Sequence, residues 1–152
     1  MSLDIISDPD RLAQGCADVM WANDKSSQRL GIVIDSVGPG RAQLSMTIDE
    51  TMVNGHGMAH GGFIFLLADS AFAFACNSRN LYAVAQFCSV TFLHPGKKGD
   101  RLTARAEERN LSSRSGIYDV VVTTQDGKAL AEFRGHSRVI PGTFFPDTAV
   151  SG

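Results

Sequence analysis

From Pro9 to about Asn23, apolar Leu12, Cys16, Val19 and Met20 recur at spacings of three and four, the period of a helix with one buried stripe. Ser7 or Asp8 stands where the cap of that helix belongs. Between Gly31 and Ile48 the period changes. Ile32, Val33 and Ile34 form one run, and Ala42, Leu44, Met46 and Ile48 alternate strictly in another. Gly38-Pro39-Gly40 separates them, so the pattern predicts a hairpin. Asp49 to Ala59 has no periodicity and reads as a loop that ends at His60-Gly61-Gly62. Phe63 to Asn77 is apolar on nearly every side and too long for a typical strand, which predicts a buried helix. Four strand-like runs follow at Leu81 to Leu93, Arg101 to Asn110, Gly116 to Thr124 and Lys128 to Ile140. Gln125-Asp126-Gly127 marks a tight turn between the last two. Residues 141–152 carry no periodicity and are expected to form a mobile tail beyond a single domain at 1–140.

The order is helix, hairpin, long helix, then antiparallel strands, an α+β pattern without repeats or a domain linker. A flat sheet touches only one side of a helix. The sheet must therefore curl around the apolar helix, or a second copy of the chain must cover the rest, and a homodimer is expected.

Composition narrows the function classes. With 152 residues the chain can bury roughly 68–70% of its unfolded surface, enough to fold without disulfides or a structural metal. Fourteen Lys and Arg stand against sixteen Asp and Glu with no basic run, which argues against a nucleic-acid binder. Cys16, Cys76 and Cys88 are odd in number and widely spaced, so they suggest neither a disulfide framework nor a thiolate metal site. The acidic N-terminus lacks the features of a secretory signal, and Phe63 to Cys76 is too short and too interrupted by Asp69 and Ser70 to span a bilayer. A cytoplasmic protein with no membrane partner is expected.

The candidate chemistry lies in residues 54–62 and in Asp69-Ser70. Gly61 and Gly62 stand where a loop enters a helix, and the first N–H groups of a helix have no intrahelical partner. Such an end can polarise a carbonyl, although paired glycines also serve merely to tighten a loop. Asp69 lies among apolar neighbours, so its carboxylate must protonate, find a partner or serve a function. Eight residues separate Gly61 from Asp69, roughly 12 Å along one helix. One chain does not bring both to one carbonyl, whereas two antiparallel helices of a dimer can. His56 and His60 are four apart, but Gly57 and the loop context argue against a metal site.

The run Val53 to Asn77, with Asn54-Gly55-His56-Gly57-Met58-Ala59-His60-Gly61-Gly62 and Ala68-Asp69-Ser70, resembles the signature of hotdog-fold acyl-CoA thioesterases of the phenylacetate-degradation type. Val90 to Gly96, Gly99 to Ala104, Gly116 to Asp119 and Phe133 to Ser137 match that family in the same order. The resemblance implies a long helix wrapped by a curved antiparallel sheet, in dimers and commonly in tetramers made of two dimers. It implies hydrolysis of aryl-CoA or of short- to medium-chain acyl-CoA, with no cofactor. By the same resemblance Asp69 is general base or nucleophile, the Gly61 N–H polarises the thioester oxygen and Asn54 positions the reacting groups. His60 then lies beside the oxyanion site and Ser70 near the attacking water. Arg114, beside Ser113, matches the part of relatives that approaches the CoA nucleotide. Phe63 and Asn77 are further candidate substrate contacts, and Phe72, Phe74 and Tyr82 are either acyl-pocket lining or plain core. Lys97, Lys98 and Arg101 could also meet CoA phosphates. Two other readings compete with hydrolysis: a non-catalytic acyl-CoA binding module, and a hotdog enoyl-CoA hydratase using His60. The tail lies outside the shared pattern, which leaves the preferred acyl group open.

Overall fold

The computed structural model describes residues 7–146. Helix α1 (Pro9–Asn23) starts where the pattern places it: the Asp8 carboxylate accepts from the N–H groups of Asp10 and Arg11, and Pro9 occupies the first turn. Its buried stripe is Ala13, Cys16 and Ala17, while Val19 is exposed. Cys16 is buried as the pattern places it and Met20 packs half-buried against the core, whereas Val19 points outward and the small Ala13 and Ala17 complete the buried stripe. A short helix, α2 (Lys25–Arg29), follows, capped by Asp24, which accepts from the Ser27 N–H and hydroxyl.

Strands β1 (Val33–Gly38) and β2 (Arg41–Thr47) form the expected hairpin. A single turn of 3-10 helix at Glu50–Met52 interrupts the loop before helix α3 (Gly61–Cys76). Strands β3 (Ala83–Phe92), β4 (Arg101–Leu111), β5 (Ser115–Thr123) and β6 (Ala129–Val139) complete one antiparallel six-stranded sheet. Its order is β1-β2-β4-β5-β6-β3, so the third strand in sequence lies at the far edge, beside the last.

Alternate residues of β4 and β5 point inward and are buried, as a half-covered sheet demands. The concave face holds α3, and Phe72 is the centre of that contact. Its ring lies 5.6 Å from Tyr118 and 5.8 Å from Phe133, and it rests against the backbone of Gly135, where a Cβ would come within 2.7 Å of the ring. Small residues under a helix are what allow a sheet of this size to wrap it. The wrapping covers one side only. Ile64, Leu67, Ala68, Ala71 and Ala75 are buried, whereas Phe65, Leu66, Asp69, Ala73 and Cys76 keep partial exposure along the opposite side. That side runs beside β3, whose Val84, Phe87 and Phe92 are exposed, Phe87 to 59%. An apolar edge strand of ten residues is a surface that natural sheets normally cover.

The segment expected as a mobile tail begins as attached chain. Residues 141–146 lie against the turn after α3, with the Tyr82 N–H donating to the Gly142 carbonyl at 3.2 Å and the Asn80 side chain bonded to Phe145. Tyr82 and Phe144 supply the apolar contact that periodicity could not show. Residues 147–152 lie outside the described residues.

Candidate functional site

Two cavities flank the uncovered side of α3, one at each end. The first, of about 340 Å³, is lined by Asn54, Gly61, Ile64, Phe92 and His94 among others. His60 caps the helix above it, its Nδ1 accepting from the Gly62 N–H at 2.9 Å. The Gly61 N–H, the first of the helix, has no hydrogen-bond acceptor among the described residues. It stands at the positive end of a 16-residue helix. Asn54 shapes the loop leading there, with its Oδ1 accepting from the N–H groups of His56 and Met58 at 2.9 and 3.1 Å. A Cβ on Gly61 would lie 2.9 Å from the Phe92 ring, so glycine here leaves the N–H open to a carbonyl.

The second cavity, of about 430 Å³, contains Asp69 together with Phe72, Ala73, Cys76, Tyr82 and Phe144 among its walls. Burial raises the carboxyl of Asp69 above its ordinary value, and among the described residues no cation offsets that effect. A carboxylate made more basic in this way is better suited to accept a proton near neutral pH. The thiols of Cys76 and Cys88 share this surrounding. Burial first, and then the charge of Asp69, push both upward, Cys76 to about 12, which keeps the thiols protonated and unsuited to nucleophilic attack.

The other sequence-expected residues fall at different distances from this chemistry. Ser70 follows Asp69, and its hydroxyl lies 3.4 Å from that of Ser27, which in turn donates to Asp24. Phe63 is half-buried, with its ring edge-on to His60 at 6.2 Å. Asn77 closes the end of α3: its Nδ2 donates to the carbonyls of Ala73 and Ala83, and its Oδ1 accepts from the Ala83 N–H. The polar atoms of Asn77 are therefore committed to the backbone, although the residue borders the cavity of Asp69. Ser113 and Arg114 are exposed in the turn between β4 and β5, where the Arg114 carbonyl accepts from the Val139 N–H at the end of β6. Phe72 and Tyr82 line the Asp69 cavity, while Phe74 is core, packed toward Trp21. Arg101 bonds to Thr47 and Ser45, and Lys98 pairs with Glu50 at 3.8 Å. Lys97 is exposed. Among the described residues no group of His, Cys, Asp and Glu is arranged to hold a metal, and no helix is long and apolar enough to cross a membrane.

Gly61 and Asp69 thus lie on one helix but in separate cavities. Sequence reasoning missed Phe92, which borders the Gly61 cavity, and Ile140 and Phe144, which border that of Asp69. The strand-like run Leu81 to Leu93, which contains Phe92, was the one available signal for it.

Comparison with known proteins agrees with this architecture. The sequence model of the thioesterase superfamily matches residues 56–131. The chain is 47% identical over 127 residues to the acyl-coenzyme A thioesterase PaaI of Escherichia coli strain K12, covering 84% of this chain and 91% of that protein. A structure of the E. coli PaaI protein from the phenylacetic acid degradation operon superposes with a TM-score of 0.88 at 45% identity, covering 90% of this chain and 99% of that one. The smu.793 protein of Streptococcus mutans, solved bound to acetyl CoA, superposes with a TM-score of 0.71 at 26% identity, covering 74% and 90% of the two chains.

Proposed function

The chain belongs to the thioesterase superfamily and has its hotdog fold, and from that premise we propose that it is an acyl-CoA thioesterase that releases CoA and a free acid from aryl-CoA or short- to medium-chain acyl-CoA. The observation that carries the reading is the pairing of chemistries on α3: an open N–H at its first residue and a carboxylate of raised basicity two turns later. The thioester oxygen is polarised by the Gly61 N–H as negative charge develops on it. Asp69 drives the attack on the carbonyl carbon in one of two ways. As a base it takes a proton from the attacking water, the C–S bond breaks, and that proton goes to the departing sulfur as free CoA thiol. As the attacking carboxylate it displaces the CoA thiolate to form a mixed anhydride, which water then hydrolyses to the free acid, restoring Asp69 and supplying the proton of the thiol.

The site is completed by a second copy of the chain. The Asp69 cavity reaches the Tyr82–Ala85 end of β3, and the Gly61 cavity reaches Phe92 and the three residues beyond the other end. Two β3 edges paired antiparallel about Phe87 and Cys88 bring the first end of one copy beside the second end of the other. Asp69 of one protomer then faces Gly61 of its partner, and the two-fold axis makes two equivalent sites. The same pairing covers the exposed Val84, Phe87 and Phe92. Tetramers follow as pairs of such dimers. Arg114 and Ser113 are assigned to the nucleotide end of CoA, and three free thiols favour a reducing cytoplasm.

The test is release of CoA thiol from phenylacetyl-, hydroxyphenylacetyl-, benzoyl- and straight-chain acyl-CoA. Asp69→Asn is expected to lower kcat by about 10²-fold or more. Co-expressing Asp69→Asn and Gly61→Ala protomers in equal amounts should restore roughly a quarter of wild-type turnover, because half the dimers are mixed and each holds one intact site. Normal turnover in folded Asp69→Asn refutes the carboxylate's role. Failure of the wild type on every thioester, with acyl-CoA binding retained, makes the protein a binding module.

A further inference from the structure

The segment after β6 lies beyond residues 56–131 matched by the superfamily, yet it forms a wall of the cavity that holds Asp69. Ile140 extends the β6 ladder by donating its N–H to the Tyr82 carbonyl at 2.8 Å. At Gly142 the backbone turns, with φ at +121°, flat against the Tyr82 ring; a Cβ there would lie 2.4 Å from a ring carbon. Phe144 then stands edge-on to the same ring, with centroids 4.7 Å apart and planes at 85°.

Asn80 holds this arrangement at two points. Its Nδ2 donates to the Phe145 carbonyl at 3.0 Å, and its Oδ1 accepts from the Phe145 N–H at 2.8 Å. The residue is 7% exposed and has φ at +62°, a left-handed conformation that Asn tolerates better than most side chains. A buried amide in an uncommon backbone conformation, with both of its polar groups given to the backbone of Phe145, fixes the position of that residue.

We propose that residues 140–146 are a strap that bounds the acyl pocket, with Phe144 and Tyr82 as its aromatic end wall and Asn80 as its fastening; the proposal rests on the thioesterase reading above. The opposite wall carries Asp69, Phe72 and Ala73, so an acyl group whose carbonyl meets Asp69 extends toward the aromatic pair. The cavity of about 430 Å³ is at the small end of ligand pockets, which suits a single aromatic ring or a chain shorter than decanoyl and excludes decanoyl and longer chains. An acyl ring can join the edge-to-face pair in a way that a straight chain cannot. Phe144 is thereby a specificity-determining residue and Asn80 a positioning residue.

The experiment compares kcat/KM of the wild-type chain, Phe144→Ala, Phe144→Leu and Asn80→Ala on acetyl-, phenylacetyl- and decanoyl-CoA. Phe144→Ala is expected to shift the ratio of decanoyl- to phenylacetyl-CoA hydrolysis about tenfold toward the long chain, with acetyl-CoA affected least. Asn80→Ala shifts the ratio in the same direction without touching the substrate. Asn80→Asp keeps the acceptor for the Phe145 N–H and restores part of the selectivity. Phe144→Leu keeps apolar bulk and supplies the comparison if the alanine variant folds poorly; it lowers preference for the ring without admitting decanoyl. An unchanged acyl profile in folded Phe144→Ala overturns the strap while leaving the thioesterase reading intact. Absence of wild-type turnover on all three esters overturns both.

Discussion

Gly135→Ala tests whether the close approach of α3 to the sheet positions the catalytic helix. Gly135 lies within β6, opposite Tyr118 and Cys88 in the neighbouring strands, and its φ is not positive, so alanine suits the backbone. The obstacle is the Phe72 ring. A Cβ would stand 2.7 Å from Cδ1 and Cε1 and 2.8 Å from Cζ, about 0.7 Å short of the 3.4 Å at which ordinary contact begins. Tyr118 and Phe133 block the ring from sliding sideways, so the strain passes into α3 itself. Overpacking of this kind costs about 1–3 kcal/mol, offset by about 0.4–1 kcal/mol because alanine restricts the unfolded chain. A net loss of about 1–2 kcal/mol lowers Tm by roughly 2–8 °C for a chain of this length. Thermal unfolding at fixed protein concentration measures it, since association raises apparent stability. Asp69 precedes Phe72 by three residues on the same helix, so kcat should also fall, on the order of tenfold. Phe72→Leu combined with Gly135→Ala should recover more than 0.5 kcal/mol relative to the sum of the two single losses, by the usual scale for contacting residues. A Gly135→Ala protein as stable as the wild type, or strict additivity in the double variant, refutes the reasoning.

Two further outcomes follow from the site. Because burial raises the Asp69 carboxyl in the folded state, ionising it costs stability; that cost is absent below the unfolded-state value of about 3.9, grows as pH rises through the folded-state value and is constant above it. Asp69→Asn should therefore melt above the wild type at pH 7, with the gap closing below about pH 4, while wild-type kcat/KM rises with pH through an apparent value above the ordinary carboxylate range; a lower-melting Asp69→Asn at pH 7 contradicts the assignment. Asn77→Ala strips partners from the buried N–H and carbonyl of Ala83 and should cost about 2–4 kcal/mol in urea unfolding, whereas a loss under 1 kcal/mol would mean the clasp is dispensable.

Periodicity was enough to locate all six strands within a few residues, because each carries either alternation or a bounded apolar run. The start of α3 falls two residues earlier than the apolar pattern begins, since His60 caps it through a ring nitrogen and glycines carry no hydrophobic signal. Helix α2 escaped notice because five polar residues show no period and its stability comes from Asp24. Strand order was invisible, as the edge position of β3 depends on pairing with a segment some forty residues later. In the candidate site, Asp69 and Gly61 stand out because a carboxylate in an apolar run and glycines at a helix entrance conflict with local propensity, whereas Asn54 is singled out only by the family resemblance. Phe144 was not legible, because its contacts with Tyr82 and the cavity arise only once the chain has returned across the sheet.

That return sets a schedule for making the molecule. Among the described strands β3 pairs with β6 alone, so it has no strand partner while the ribosome is still emitting residues 93–128. The hairpin of β1 and β2 can form early, and β4 can join it, but the strand that carries Val84, Phe87 and Phe92 waits for nearly the whole chain. During that interval a nascent apolar strand is available to any similar strand on a neighbouring ribosome. Rapid synthesis at high temperature or high expression should therefore divert chains into aggregates before β6 arrives, and slower synthesis should raise the folded yield.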